Sequence, residues 1–275
     1  MKKKMIFALA FVLAACSSVD DELNEKKELV TLMFSPYEVT AITKAETSIA
    51  TFCTHLDVWI TDGSEVVDLH QSNADTGFGS LSVTLDKTKT YTMYAVAHKC
   101  ASDATLSDGV ISFPDNKVTH SMFYSTTFTP ANTTSISCLM TRIVAQFRIE
   151  TTDAIPSELK KVQITIDNVF DRWNVATGGT HSLDRTSTIT ISSTNDDGTV
   201  ALNVFAIVTD AQSLHTVTVT GLDADDNEVL SPRIFEDVPL RNGYRTTYRG
   251  ALRDAALTGT FTVENDWLEY DVVNF

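Results

Sequence analysis

An all-β fold of two tandem antiparallel β-sandwiches is what this sequence predicts, and three observations predict it. From Glu28 onward the chain consists of short runs rich in β-branched and aromatic residues, alternating apolar with polar and separated by Gly, Asn, Asp and Pro. Long helical periodicity is nearly absent. The same pattern restarts after a small polar stretch near the middle, and the roughly 260 residues beyond the leader exceed one typical domain and suit two.

Taken in order, residues 1–15 read as a leader. Lys2, Lys3 and Lys4 precede an uncharged run from Met5 to Ala15 that is eleven residues long, too short for a membrane helix, which needs about 20 apolar residues. Leu13-Ala14-Ala15-Cys16 resembles a bacterial lipoprotein signal, with cleavage between Ala15 and Cys16 and a lipid on the Cys16 thiol. Stable anchoring takes more than one acyl chain, a condition that the triacyl modification of this signal class meets. Residues 16–28 are polar and acidic and read as a tether.

The first sandwich, residues 29–137, is expected to use LVTLMFSP, HLDVWITDG, EVVDLHQ, SLSVTLDK, TYTMYAVAH, GVISFPDN and HSMFYSTTFTP as strands with their turns. In SLSVTL, Leu81, Val83 and Leu85 share one face and Ser82 and Thr84 the other, as a half-buried antiparallel strand requires. The stretch TPANTTSIS, residues 129–137, is small and polar and is the expected seam. The second sandwich, residues 138–275, is expected to use TRIVAQFRIE, KKVQITIDNV, STITISST, TVALNVFAIVTD, HTVTVTGLD, RTTYRGAL and GTFTVEN, with a short helical turn at IPSELKK capped by Ser157.

Charge narrows the partners. The chain carries 36 acidic and 21 basic residues, a formal net charge of -15. Loss of the three leader lysines leaves 18 basic against 36 acidic residues, or -18. Such a surface repels polyanions, no basic stripe offsets it, and nucleic acid is not an expected partner. The acids directly after Cys16 resemble surface-export signals of Bacteroidales lipoproteins and point to the outer face of the outer membrane.

The candidate chemistry is sparse. Cys53, Cys100 and Cys138 allow at most one disulfide, with three possible pairings; Cys53 with Cys100, in the same half of the chain, is the expected one, against three buried thiols packing as small apolar groups. His55, His70, His98, His120, His181 and His215 stand singly, without the spacing of a zinc motif, so no metal and no cofactor is expected beyond the lipid on Cys16. Asp223, Asp225 and Asn227 imitate the start of a calcium loop, but Glu228 and Ile234 stand where Gly and Glu are needed, so an acidic hairpin turn is expected. No nucleophile elbow is present and no enzyme is expected. Trp59, Trp173 and Trp267 would form a sugar-stacking platform only if exposed together; strand tryptophans are more often core. The strands are too short, and their outward residues too polar, for a membrane β-barrel.

The segments LDVWI (56–60), YTMYAVAH (91–98), MTRIVAQFRI (140–149), VPLRNGYRTTYRG (238–250) and DWLEYDVVNF (266–275) run in this order over nearly the whole chain after the leader. Together with Leu13–Cys16 they resemble the fimbrial anchor and fimbrillin-like lipoproteins of Bacteroidales, the FimB type in particular. The resemblance implies two transthyretin-like sandwiches, lipid attachment to the outer membrane, and a part in anchoring or assembling a surface fimbria used in cell adhesion. It implies pilin subunits as partners, engaged through strand exchange, and a host or bacterial surface ligand met through the fimbria. It implies no catalytic residue. Stalk subunits of this group are trimmed by an arginine- or lysine-specific protease, and Lys44, after SPYEVTAIT, is the matching position; an anchor instead keeps its lipidated end. A stalk or tip subunit matured near Lys44 and a glycan-binding surface lipoprotein are the alternative readings.

Overall fold

The computed structural model describes residues 28–30, 37–39, 46–133, 135–253 and 259–264. Among them the regular elements are strands and three short 3-10 turns. In the first half these strands are β1 (Glu28–Val30), β2 (Tyr37–Val39), β3 (Glu46–Ser48), β4 (His55–Thr61), β5 (Val66–Ser72), β6 (Val83–Leu85), β7 (Tyr91–His98), β8 (Thr105–Ser107), β9 (Val110–Ser112) and β10 (Ser121–Phe128). They are followed by β11 (Thr141–Arg142), β12 (Ala145–Thr151), β13 (Lys161–Asn174), β14 (Gly178–Thr190), β15 (Ala201–Ala206), β16 (Ser213–Leu222), β17 (Glu228–Leu240), β18 (Arg245–Gly250) and β19 (Gly259–Glu264).

Turn chemistry sets where the strands reverse. Between β4 and β5, Asp62 Oδ1 accepts the N–H groups of Ser64 and Glu65, and Gly63 supplies the positive φ that a bulkier residue resists. The acidic hairpin turn at 223–227 is built the same way, with Asp223 Oδ1 accepting the N–H groups of Asp225 and Asn227, so its carboxylate is spent on the turn.

Three large sheets result. The first runs β11-β10-β7-β4-β5, the second β15-β12-β18-β19 and the third β17-β16-β13-β9-β8 with β14 also on β13. All pairings are antiparallel except β12 with β18. Strands cross the predicted seam in both directions: β11, from beyond it, joins the first sheet on β10, while β8 and β9, from before it, join the third sheet on β13.

Period-two alternation sorts the side chains into three cores. Leu56, Val58 and Ile60 of β4, Met93, Ala95 and Ala97 of β7 and Met122 of β10 fill a first-lobe core with Phe52, Val83, Leu85 and Met140. In the second lobe, Phe147 and Ile149 of β12, Val204 of β15 and Tyr248 of β18 pack against Val162, Ile164, Val217 and Phe235 of the third sheet. Part of the opposite face of β4, β7 and β10 is covered as well. Trp59, Val96 and Phe123 close onto Ile111, Trp173, Phe205 and Ile207, forming a junction core between the lobes.

A bulge aims Trp173 into that junction. Along β13 the buried positions are 162, 164 and 166 and then 169, 171 and 173, so the parity flips at Asp167 and Asn168. The register against β14 shifts there, and Asn168 takes φ 49°. A bulge inserts one residue and turns everything after it to the other face. Asp167 holds the distortion by accepting His215 Nδ1 and the Thr216 N–H.

Three expectations are corrected. KKVQITIDNV and STITISST are parts of one long hairpin, β13–β14, and EVLSPRIFEDVPL, not expected as a strand, is β17. IPSELKK forms a single turn closed by Leu159 N–H on Pro156 O, because one turn cannot offset helix nucleation while buried Leu159 is drawn into the core.

Candidate functional site

The most elaborate polar arrangement is built around a charge in an unlikely place. β4 is central in its sheet, and the alternation that sends Leu56, Val58 and Ile60 one way sends Asp57 into the junction, fully shielded from solvent. A buried carboxylate must be paired and hydrogen-bonded. Asp57 Oδ2 accepts His98 Nε2–H from β7 at 2.7 Å and the Ala104 N–H from the β7–β8 connection at 2.9 Å. Its Oδ1 lies 2.7 Å from Nδ1 of His70, the residue directly opposite across β4–β5. His55 stacks on His98 at 5.3 Å, Phe113 meets it edge-on at 5.8 Å, and His98 Nδ1 accepts the Cys100 N–H at 3.1 Å. The outer nitrogen of His70, Nε2, lies 3.0 Å from Asp68.

Burial pushes the Asp57 pKa up, but the bonds from His98, His70 and Ala104 together pull it down further, and the net direction is down. For His70, burial lowers the pKa while the Asp57 bond and the charges of Asp57, Asp68 and Asp103 raise it, with a net rise. His98 is opposed by burial and favoured by Asp57 and Cys100, and is raised to about 9. Adding a proton at Nδ1 of His98 would displace the Cys100 N–H, so in this arrangement Nδ1 faces that N–H and Nε2 faces Asp57. Cys100 Sγ lies 3.3 Å from both Lys117 O and Thr119 Oγ1.

Sequence spacing hides this cluster, because Asp57 is 13 residues from His70 and 41 from His98. The one signal was the acid in LDVWI, flanked on both sides by core residues.

The other predicted residues fall elsewhere. Cys53, Cys100 and Cys138 are buried and no disulfide joins them, the expected Cys53–Cys100 pair included: Cys53 packs in the first-lobe core and Cys100 in the junction core. Trp59 and Trp173 are both buried in the junction, which removes them from any sugar platform. Ala15, Cys16, Lys44 and Trp267 lie outside the described residues. No helix among the described residues is long and apolar enough to cross a membrane.

Open surfaces among the described residues include a sheet edge in the first lobe and a cleft in the second. β5 pairs with β4 alone among the described strands and exposes Val66, so its outer edge offers unpaired backbone groups. In the second lobe a polar cleft of about 670 Å³ is lined by Arg148, Glu150, Asn195, Asp197, Thr199 and Arg249, among others.

The architecture places the chain in a class of all-β proteins with face-to-face sheets that recurs among solved structures. One, a candidate cell adhesion protein from Bacteroides ovatus, matches with a TM-score of 0.52 at 13% identity, covering 89% of this chain and 99% of that one. A second, a candidate polysaccharide-binding protein (DUF1812) from Bacteroides thetaiotaomicron, matches with a TM-score of 0.54 at 10% identity, covering 86% and 96%. The fimbrial anchor protein Mfa2 of Porphyromonas gingivalis gives 0.49 at 11% identity, covering 87% and 98%. The likeness to the two Bacteroides proteins establishes the fold. The chain belongs to the family of unknown function DUF6562, whose model matches residues 114–271. No curated protein matches it.

Proposed function

We propose that this chain is a non-enzymatic subunit of a surface fimbria, held at the outer membrane by lipid on Cys16 and engaged in cell adhesion as the anchor of the fibre. The observation that supports this most is the fold shared along nearly the whole length with a Bacteroides protein described as a candidate for cell adhesion. The lipoprotein-type leader and the ordered motifs from LDVWI to DWLEYDVVNF support the anchor over a free adhesin. Contact with pilin subunits fits the open edge of β5, where an added strand gains main-chain hydrogen bonds for affinity and alternate side-chain contacts for register. Asp68 and His70 on that strand act as polar guards that keep two copies from pairing at random.

The test is mass spectrometry of the protein from sheared surface fibres and from the residual outer membrane. An acylated Cys16 terminus retained in the membrane, and released to the medium in Cys16→Ala cells, is the expected result. A terminus at Ala45 in protein abundant along the fibres would instead make the chain a stalk subunit cut after Lys44. Unchanged membrane retention of Cys16→Ala would overturn the lipid anchor.

A further inference from the structure

We propose that Asp57, His70 and Asp103 form a binding site for a divalent transition-metal ion of the zinc class, placed where the first lobe meets the connection to the second. One ligating atom from each of the three residues lies within 4.8 Å of the others. Zinc bonds of about 2.0–2.2 Å to nitrogen and oxygen bring three such donors around one ion and leave a fourth position for water. Asp57 Oδ1 and His70 Nδ1, 2.7 Å apart, now share a proton. The ion takes the place of that proton, which leaves to solvent, and Asp103 closes the set from the exposed connection after β7.

Both strand-borne ligands already carry the outer partners that metal sites require. A ligating histidine gives its second ring N–H to a carboxylate, and His70 Nε2 lies 3.0 Å from Asp68 Oδ1. The ligating carboxylate is itself held, with Asp57 Oδ2 fixed by His98 Nε2–H and the Ala104 N–H. Three carboxylates thus surround one imidazole, and no lysine or arginine among the described residues pairs with Asp57, Asp68 or Asp103. A hydrogen-bonded histidine–aspartate pair alone does not make such a site. His181 with Asp171 has similar contact, 2.8 Å, but its carboxylate neighbours Arg172 and it belongs to no such three-ligand group among the described residues. The bound ion would tie β4 and β5 to the segment that leads into β8 and so into the sheet of the second lobe. This inference is independent of the fimbrial reading.

The experiment is calorimetric titration of the full chain, purified in detergent and stripped with EDTA, with zinc chloride. We expect one saturable equivalent, weakened about tenfold or more in both Asp103→Asn and His70→Gln. His181→Gln should bind as the parent does. Cobalt substitution gives a second readout, with visible absorption bands lost in the same two variants. Asp103 is exposed, so its substitution leaves the core intact, and an unchanged melting profile verifies this. Absence of saturable zinc uptake, or equal affinity in Asp103→Asn, His70→Gln and the parent, would overturn the site.

Discussion

Asp57 and Asp171 are both buried aspartates on central strands, each facing a histidine on the neighbouring strand, and they are held very differently. Asp57 is met by two imidazoles and a backbone N–H, and one of those imidazoles, His98, is itself fully buried. Asp171 is met by His181, whose side chain is 54% exposed, and by Arg172 at 3.8 Å. Both carboxylates are shielded, but one is locked by three directed donors and the other by a single one, His181, with the charges of Arg172 and partly buried Arg185 nearby. Burial alone therefore does not measure how much structure depends on a charge; the number of donors that would be orphaned by its loss does.

That comparison can be broken in order of expected effect. Asp57→Ala should be the most damaging, because it strands His98 Nε2–H and the Ala104 N–H in an apolar junction. At roughly 1–3 kcal/mol per buried unsatisfied group the loss is about 2–6 kcal/mol, read from urea unfolding midpoints. If Asp57→Ala loses no more than Asp171→Ala, the distinction fails. Asp171→Ala should cost less, about 1 kcal/mol, since it removes one directed hydrogen bond, from exposed His181.

Acid titration sharpens the same point. The Asp57 pKa is lowered on folding, so its contribution is complete above the ordinary value of 3.8 and fades as pH falls toward the depressed one. Below about pH 4 the parent should therefore lose stability more steeply than Asp57→Asn; parallel acid limbs would contradict this. Thiol labelling gives the smallest, most local readout. Burial pushes the Cys138 pKa to about 12, and all three thiols are shielded, so the native chain should resist thiol reagents at pH 8. In Asp57→Ala, Cys100 should react first, since its N–H rests on His98. Uniform reactivity of Cys53, Cys100 and Cys138 would show that the network does not organise that turn.

How much of this was legible in the sequence depends on range. Strands with one apolar face announce themselves, as with Val83 and Leu85 buried around exposed Thr84. β4 was legible as a strand but not as a strand buried on both sides, because its second face is covered by residues from the other half of the chain. β17 was hidden by Pro232, Pro239 and a scatter of acids, all tolerable in a strand paired on one side. The bulge at Asn168 interrupts the alternation that makes β13 recognisable, so only its first part was read. The Asp57 cluster depends on three strands and a connection meeting in space, which no local pattern encodes.

The transfer of β8 and β9 into the sheet of the second lobe has a mechanical consequence. A tug that parts the lobes must strip Val110–Ser112 from Arg172–Asn174 and draw Trp173 out from beside Phe123. It must also break the grip of Arg185 on the Asn116 carbonyl. Load therefore reaches both lobes together, and stretching a single molecule should give one rupture where a pair of beads on a string would give two.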